Sequence, residues 1–111
     1  MNGQKLSAAL RDRLESAAGR DLMVIVVELN SLPAAGPGSR AHRIAEARAA
    51  FAREAEPVEA AIRSASGEVL GDAWINQTLL ARLPAAHVAS LCALEQVRLL
   101  DLPSPVSLVA R

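Results

Sequence analysis

Apolar and polar positions first alternate with a period near four. Leu6, Ala9, Leu10, Leu14 and Ala17 recur at helical spacing, with Arg11, Asp12, Arg13 and Glu15 opposite them. This predicts a short amphipathic helix that stops at Gly19. An unbroken apolar run follows, Leu22-Met23-Val24-Ile25-Val26-Val27, continued by Glu28-Leu29. Its brevity and β-branched density predict a central strand. Asn30 to Ser39 holds two prolines and two glycines and reads as a loop. From Arg40 to Ser66, Ile44, Ala47, Phe51, Ala55, Val58 and Ile62 trace one stripe of a main helix. Pro57 lies inside it and is expected to kink or divide it, because its ring removes a donor and crowds the preceding turn. Gly67 ends that helix. Glu68 to Trp74 has strand character, Ile75-Asn76 reads as a turn, and Thr78 to Leu83 as the returning strand of a hairpin. Pro84 can open a helix at its first position. Ala85 to Leu94 places Val88, Leu91 and Cys92 on one side, and Val97 to Leu102 is a last strand stopped by Pro103 and Pro105.

Leaving out the leading helix, the order is β-α-β-β-α-β. Right-handed crossovers around a central hairpin make this an α+β chain with the split βαβ arrangement of ferredoxin-like folds. One domain over 1–102 and an extended tail over 103–111 are expected. Both crossover helices would cover one face of an antiparallel sheet and leave the other bare. A bare face should be polar, yet the strands are apolar on both sides. Leu22, Val24 and Val26 oppose Met23, Ile25, Val27 and Leu29, and Thr78, Leu80 and Arg82 oppose Leu79, Ala81 and Leu83. Leu100 and Leu102 are placed on the side away from Val97 and Leu99. The expected docking surface is thus Val24, Val26, Leu80, Arg82, Leu100 and Leu102. A protein partner covers such a patch, or the leading helix folds over it, or the chain self-associates.

Composition narrows the function classes. Twelve basic and twelve acidic residues balance, and Phe51 and Trp74 are the sole aromatics among the 111 residues. A nucleic-acid module of this size carries a basic excess and stacking platforms, so nucleic acid is not an expected partner. The lone Cys92 rules out an internal disulfide and a paired-cysteine metal site, and reads as a buried structural thiol. The densest apolar run, Leu22 to Val27, is far shorter than the roughly 20 residues of a membrane helix. No membrane partner is expected, and the chain as it stands reads as cytoplasmic, or secreted if an upstream signal was removed.

No catalytic constellation emerges. His42 and His87 are read as isolated, so no metal site is expected. The loop Pro33-Ala34-Ala35-Gly36-Pro37-Gly38 lacks a phosphate-binding signature, and Gly-x-Ser-x-Gly does not occur. Charges along the main helix fit a solvated face. The expectation is a non-enzyme without cofactor, with an enzyme of dispersed site as the remote alternative. The phosphate-cradle arginine of acylphosphatases and the paired-cysteine loop of metallochaperones are both missing.

Several segments, read in order, resemble the propeptide-inhibitor domain that precedes many subtilisin-type serine proteases. Leu10-Arg11-Asp12-Arg13-Leu14 and Leu22 to Leu29 are similar to its leading helix and first strand. Gly67-Glu68-Val69, Trp74-Ile75-Asn76 and Ala81-Arg82-Leu83-Pro84-Ala85-Ala86 are similar to its hairpin and second helix start, and Leu91 to Asp101 to its closing run. The stretch from Asn76 to Pro84 carries one residue more than the family pattern, which suggests a bulge or a shifted register. The resemblance implies the same fold, and docking of the open sheet face onto a subtilisin-type protease. It implies that the tail residues Val106, Ser107, Leu108, Val109, Ala110 and Arg111 occupy the active-site cleft. Leu108 would fill the apolar pocket four residues before the scissile position, Ala110 the crowded adjacent site, and Arg111 the primary specificity pocket. The function so implied is that of a protease inhibitor, a folding chaperone for its protease, or both. Met1 without a signal peptide favours a separately encoded protein over an excised prosegment. The alternative is a regulatory interaction module that forms a homodimer through the apolar face.

Overall fold

A computed structural model of the protein describes residues 5–30 and 38–103. Its elements are α1 (Ala8–Ser16), β1 (Leu22–Leu29), α2 (Arg40–Ser64), β2 (Glu68–Ala73), β3 (Thr78–Pro84), α3 (Ala85–Val88) and β4 (Val97–Asp101), with a 3₁₀ stretch Ala89–Ala93 prolonging α3. The four strands form one antiparallel sheet in the order β2-β3-β1-β4, which is the ferredoxin-like split βαβ arrangement with a helix added at the front.

β1 and β3 hold the middle. They pair in unbroken register from Leu22 opposite Pro84 to Glu28 opposite Thr78. Period-two alternation sends Met23, Ile25, Val27 and Leu29 of β1, and Leu79, Ala81 and Leu83 of β3, to the helix side, where all are buried. Phe51, Ala55, Val58 and Ile62 of α2 meet them, with Val88, Leu91 and Cys92 from the other crossover. α1 adds Leu10, fully buried, to the same core and meets β4. It does not fold over the far side of β1 and β3. Ser7 and Ser39 cap α1 and α2 by accepting the backbone N–H of Leu10 and His42. α3 has no side-chain cap. The N–H groups of Ala85 and Ala86 instead donate to the carbonyls of Asp21 and Gly19, so the α1–β1 connection supplies what the cap lacks.

The expectations need four corrections. α2 is not divided at Pro57, which sits on its exposed side while Ala55, Val58 and Ile62 hold the helix to the sheet. The hairpin connection spans Trp74 to Gln77 rather than Ile75-Asn76 alone, and Gln77 takes a left-handed backbone, φ 56°. The second crossover helix is a single α turn followed by 3₁₀, not one helix to Leu94. The stretch from Asn76 to Pro84 shows no bulge against β1; the hairpin's irregularity is on β2 instead, at Leu70, skipped between Val69 opposite Ala81 and Gly71 opposite Leu80.

The end of α2 is also more specific than a glycine stop. The N–H of Gly67 donates to Ile62 O at 2.8 Å and that of Ser66 to Arg63 O at 3.1 Å, a Schellman closure with Ser66, φ 68°, in the left-handed position. Gly67 is needed for another reason. A Cβ there would lie 2.6 Å from Leu83 Cβ and 2.7 Å from the carbonyl oxygen of Arg82. Adding a methyl to Gly67 forces β3 and the start of β2 apart, whereas removing the side chain of Ser66 relieves a strained backbone. Gly67→Ala is expected to lower stability by about 1–3 kcal/mol, and Ser66→Gly to leave it equal or raise it by about 1 kcal/mol. Urea unfolding of both variants reads the difference; a Gly67→Ala protein as stable as the parent would contradict the close approach.

Candidate functional site: the open sheet face

Residues that pair directly across neighbouring strands lie on one face of the sheet. On the side away from the helices, Leu80 of β3, Val26 of β1 and Asp101 of β4 form one row. Arg82 and Val24 form the next, towards the start of β1, and Thr78, Glu28 and Leu99 the row on the other side. Val24, Val26, Leu80 and Leu99 are half-buried, and none packs into the core. Leu22, at the end of the row containing Pro84, is 60% exposed. These side chains make a contiguous aliphatic strip across the two central strands and onto β4.

Ion pairs border the strip on both edges. Arg82 Nη2 donates to Glu68 Oε1 at 2.9 Å on the β2 side, and Arg98 bonds Glu28 on the β4 side. Exposed pairs of this kind add about 0–1 kcal/mol of stability. Their larger effect is to set charge beside the apolar strip towards β2 and towards β4.

Of the expected docking residues, Val24, Val26, Leu80 and Arg82 share this face. Leu100 and Leu102 do not. Leu100 is fully buried in the core, and Leu102 packs against it. The cause is a bulge in β4: Leu29 pairs with Val97 but Glu28 pairs with Leu99, so Arg98 is an extra residue and alternation reverses after it. Leu99, which the sequence reading set on the inner side, therefore belongs to the open face. A signal for this was present. Strict alternation from an inward Val97 would also turn Asp101 inward, burying a carboxylate. Of the tail, Val106 to Arg111 lies outside the described residues.

Other chemistry among the described residues is sparse. His42 is not isolated: Nε2 lies 3.4 Å from Glu46 Oε2, one turn along α2, in an exposed pair. No group of three metal-ligating side chains forms among the described residues, and no helix there is long and apolar enough to cross a membrane. Sequence reasoning missed the Arg48 guanidinium, 5.3 Å from the centre of the Trp74 ring, which ties the hairpin loop to α2. Compared with known protein families, curated proteins and solved structures, the chain matches none.

Cys92 is the one thiol, and it is buried. Burial pushes it above its ordinary value of 9.0, against a weaker opposite pull from the Lys5 ammonium. A thiol held neutral and out of solvent is a poor nucleophile. Linkage gives this a sign. The folded value exceeds the unfolded one, so the thiol's contribution to stability is complete below 9.0 and is lost as pH rises through and beyond that value. Relative to Cys92→Ala, the parent protein is expected to lose stability as pH rises through and above 9.0. Parallel stability curves for the two proteins would show that the thiol is not held neutral by the fold.

Proposed function

We propose that the chain is a propeptide-like inhibitor of a subtilisin-type serine protease, docking through its open sheet face and blocking the cleft with its tail. One observation carries the reading: the aliphatic strip Val24, Val26, Leu80 and Leu99 lies on the sheet face that neither crossover helix covers. An apolar strip with a charged border loses its unfavourable hydration when a complementary surface covers it. The ordered resemblance to protease propeptides, from the leading helix to β4, names the partner class.

In this reading the protein performs no bond-breaking step. The central strands present a rigid platform, because Val24 and Val26 are held from behind by Ile25 and Val27 in the core. The Arg82–Glu68 and Arg98–Glu28 pairs keep the rim solvated and favour one docking register. Val106 to Arg111 would lie in the cleft as an extended, substrate-like segment. Pro103 and Pro105 reduce the entropy such a segment loses on binding. Leu108, Ala110 and Arg111 would meet the pockets that the resemblance assigns them. The same docking could help a protease fold, by stabilising the surface it covers.

Inhibition of a panel of subtilisin-type proteases tests both contacts. A chain ending at Pro105 is expected to keep the parent's unfolding transition and lose competitive inhibition. Leu80→Lys is expected to change stability by no more than about 1 kcal/mol and to weaken inhibition about a hundredfold, as loss of a central anchor does. Undiminished inhibition by both variants would refute the docking mode. If the parent instead forms a dimer that Leu80→Lys dissociates, the face is a self-association surface and the inhibitor reading fails.

A further inference from the structure

One hydroxyl joins three segments of chain where the folded domain hands over to its tail. Ser7 Oγ accepts the N–H of Leu10 at 3.1 Å, capping α1, and donates to Asp101 Oδ1 at 2.6 Å. The same carboxylate oxygen accepts the N–H of Leu102 at 2.7 Å. Backbone contacts run beside it. Ser7 N–H donates to Leu100 O at 2.9 Å, and Leu6 bridges Leu100 in parallel. Lys5 Nζ donates to Leu94 O at 2.9 Å. The start of α1 is thus laced to the end of β4, and Leu10 one turn later anchors it in the core.

Fold requirements account for only part of this. Capping α1 needs Ser7 and the Leu10 N–H. Closing the sheet edge needs the backbone bonds to Leu100. The Asp101 carboxylate serves neither. It lies on the open face, opposite Val26, and spans from α1 to the first residue beyond β4. Leu102, whose side chain packs against the core, is thereby gripped at both its amide and its side chain. A segment that must enter a cleft at a set distance from a docking surface binds better when its exit direction is already fixed.

We propose that Ser7 and Asp101 form a clasp that sets the direction in which the chain leaves the domain at Leu102–Pro103. α1 then positions the tail as well as closing the core edge. The proposal rests on the protease-docking reading for its purpose. Ser7 and Asp101 act in this role as positioning residues, through the chain exit they hold.

Asp101 is the residue to change, since altering Ser7 also removes the cap of α1. Amide hydrogen exchange on the full chain needs no partner. Exchange at Leu102 is expected to quicken about tenfold in Asp101→Ala, the effect of losing a hydrogen bond to a charged group. Ile25 and Ala81 should exchange as before. Asp101→Asn should stay near the parent, because its amide oxygen can accept both donors. Unchanged exchange at Leu102, or equal acceleration at Ile25 and Ala81, overturns the clasp. Inhibition then reads its purpose. Asp101→Ala is expected to weaken the full chain about tenfold, more than it weakens any residual binding of the chain ending at Pro105, and to be rescued by Asp101→Asn. Equal weakening of both chains would assign Asp101 to the docking face and overturn its positioning role. A parent chain that inhibits no protease counts against the function proposed above, and the exchange result alone then decides the clasp.

Discussion

Everything in this fold hangs on β1 being the shared strand of the sheet and apolar on both faces. It pairs with β3 from Leu22 to Glu28 and with β4 from Val26 to Leu29, so a strand with no polar side chain but Glu28 can sit in the middle of the sheet. Met23, Ile25, Val27 and Leu29 then seed the core against α2 and the 3₁₀ stretch after α3. Val24 and Val26 are turned by the same alternation to the far side, where the fold supplies no helix. Aliphatic residues on the inner face build the core; those on the outer face add strand propensity and cross-strand pairs but join no core. Replacing Val24 and Val26 with threonine would suit a wet antiparallel face better. Valine at both positions leaves an apolar surface that fits the binding role proposed above.

The periphery is arranged to leave that strip open. α1 could have covered it, but Leu10 joins the helix-side core and Ser7 bonds the β4 edge, which keeps α1 at the margin. The carbonyls of Gly19 and Asp21 satisfy the start of α3, fixing the α1–β1 connection against the second crossover. Gly67 brings the end of α2 close against Leu83 and Arg82, so the first crossover is held tight to β3 on the helix side. Each of these contacts draws a connection towards the core face.

How far the sequence could reveal this depended on which interaction decided each position. Long periodic segments were legible, because hydrophobic burial sets both their type and their inward face: α2, β1, β3 and the hairpin follow directly from the spacing of Phe51, Ala55, Val58, Ile62, Ile25, Val27, Leu79 and Leu83. Local closure was less so. The left-handed position at the end of α2 belongs to Ser66, although Gly67 is the residue that draws notice, because the glycine answers a tertiary contact with β3. α3 stops after one α turn although its apolar spacing suits a longer helix. Bulges were hardest to read. Leu70 and Arg98 each oppose no partner, and a period-two reading has no place for a residue that is skipped.

The bulge at Arg98 nonetheless ties the two parts of the proposed mechanism together. In strict alternation from a buried Val97, the outward residues would be Arg98 and Leu100, and the inward ones Leu99 and Asp101. That arrangement turns a carboxylate towards the apolar core, at a cost of several kcal/mol. One skipped residue removes the conflict: Leu100 takes the inward position, and Leu99 moves to the open strip. Asp101 comes to the rim, within reach of both Ser7 and the Leu102 N–H. The same step frees Arg98 to pair with Glu28 at the border of the strip. The irregularity in β4 therefore extends the apolar face by Leu99, supplies a charged edge, and brings the clasp residue to the point where the tail begins. Moving the bulge by one residue in either direction would lose at least one of the three.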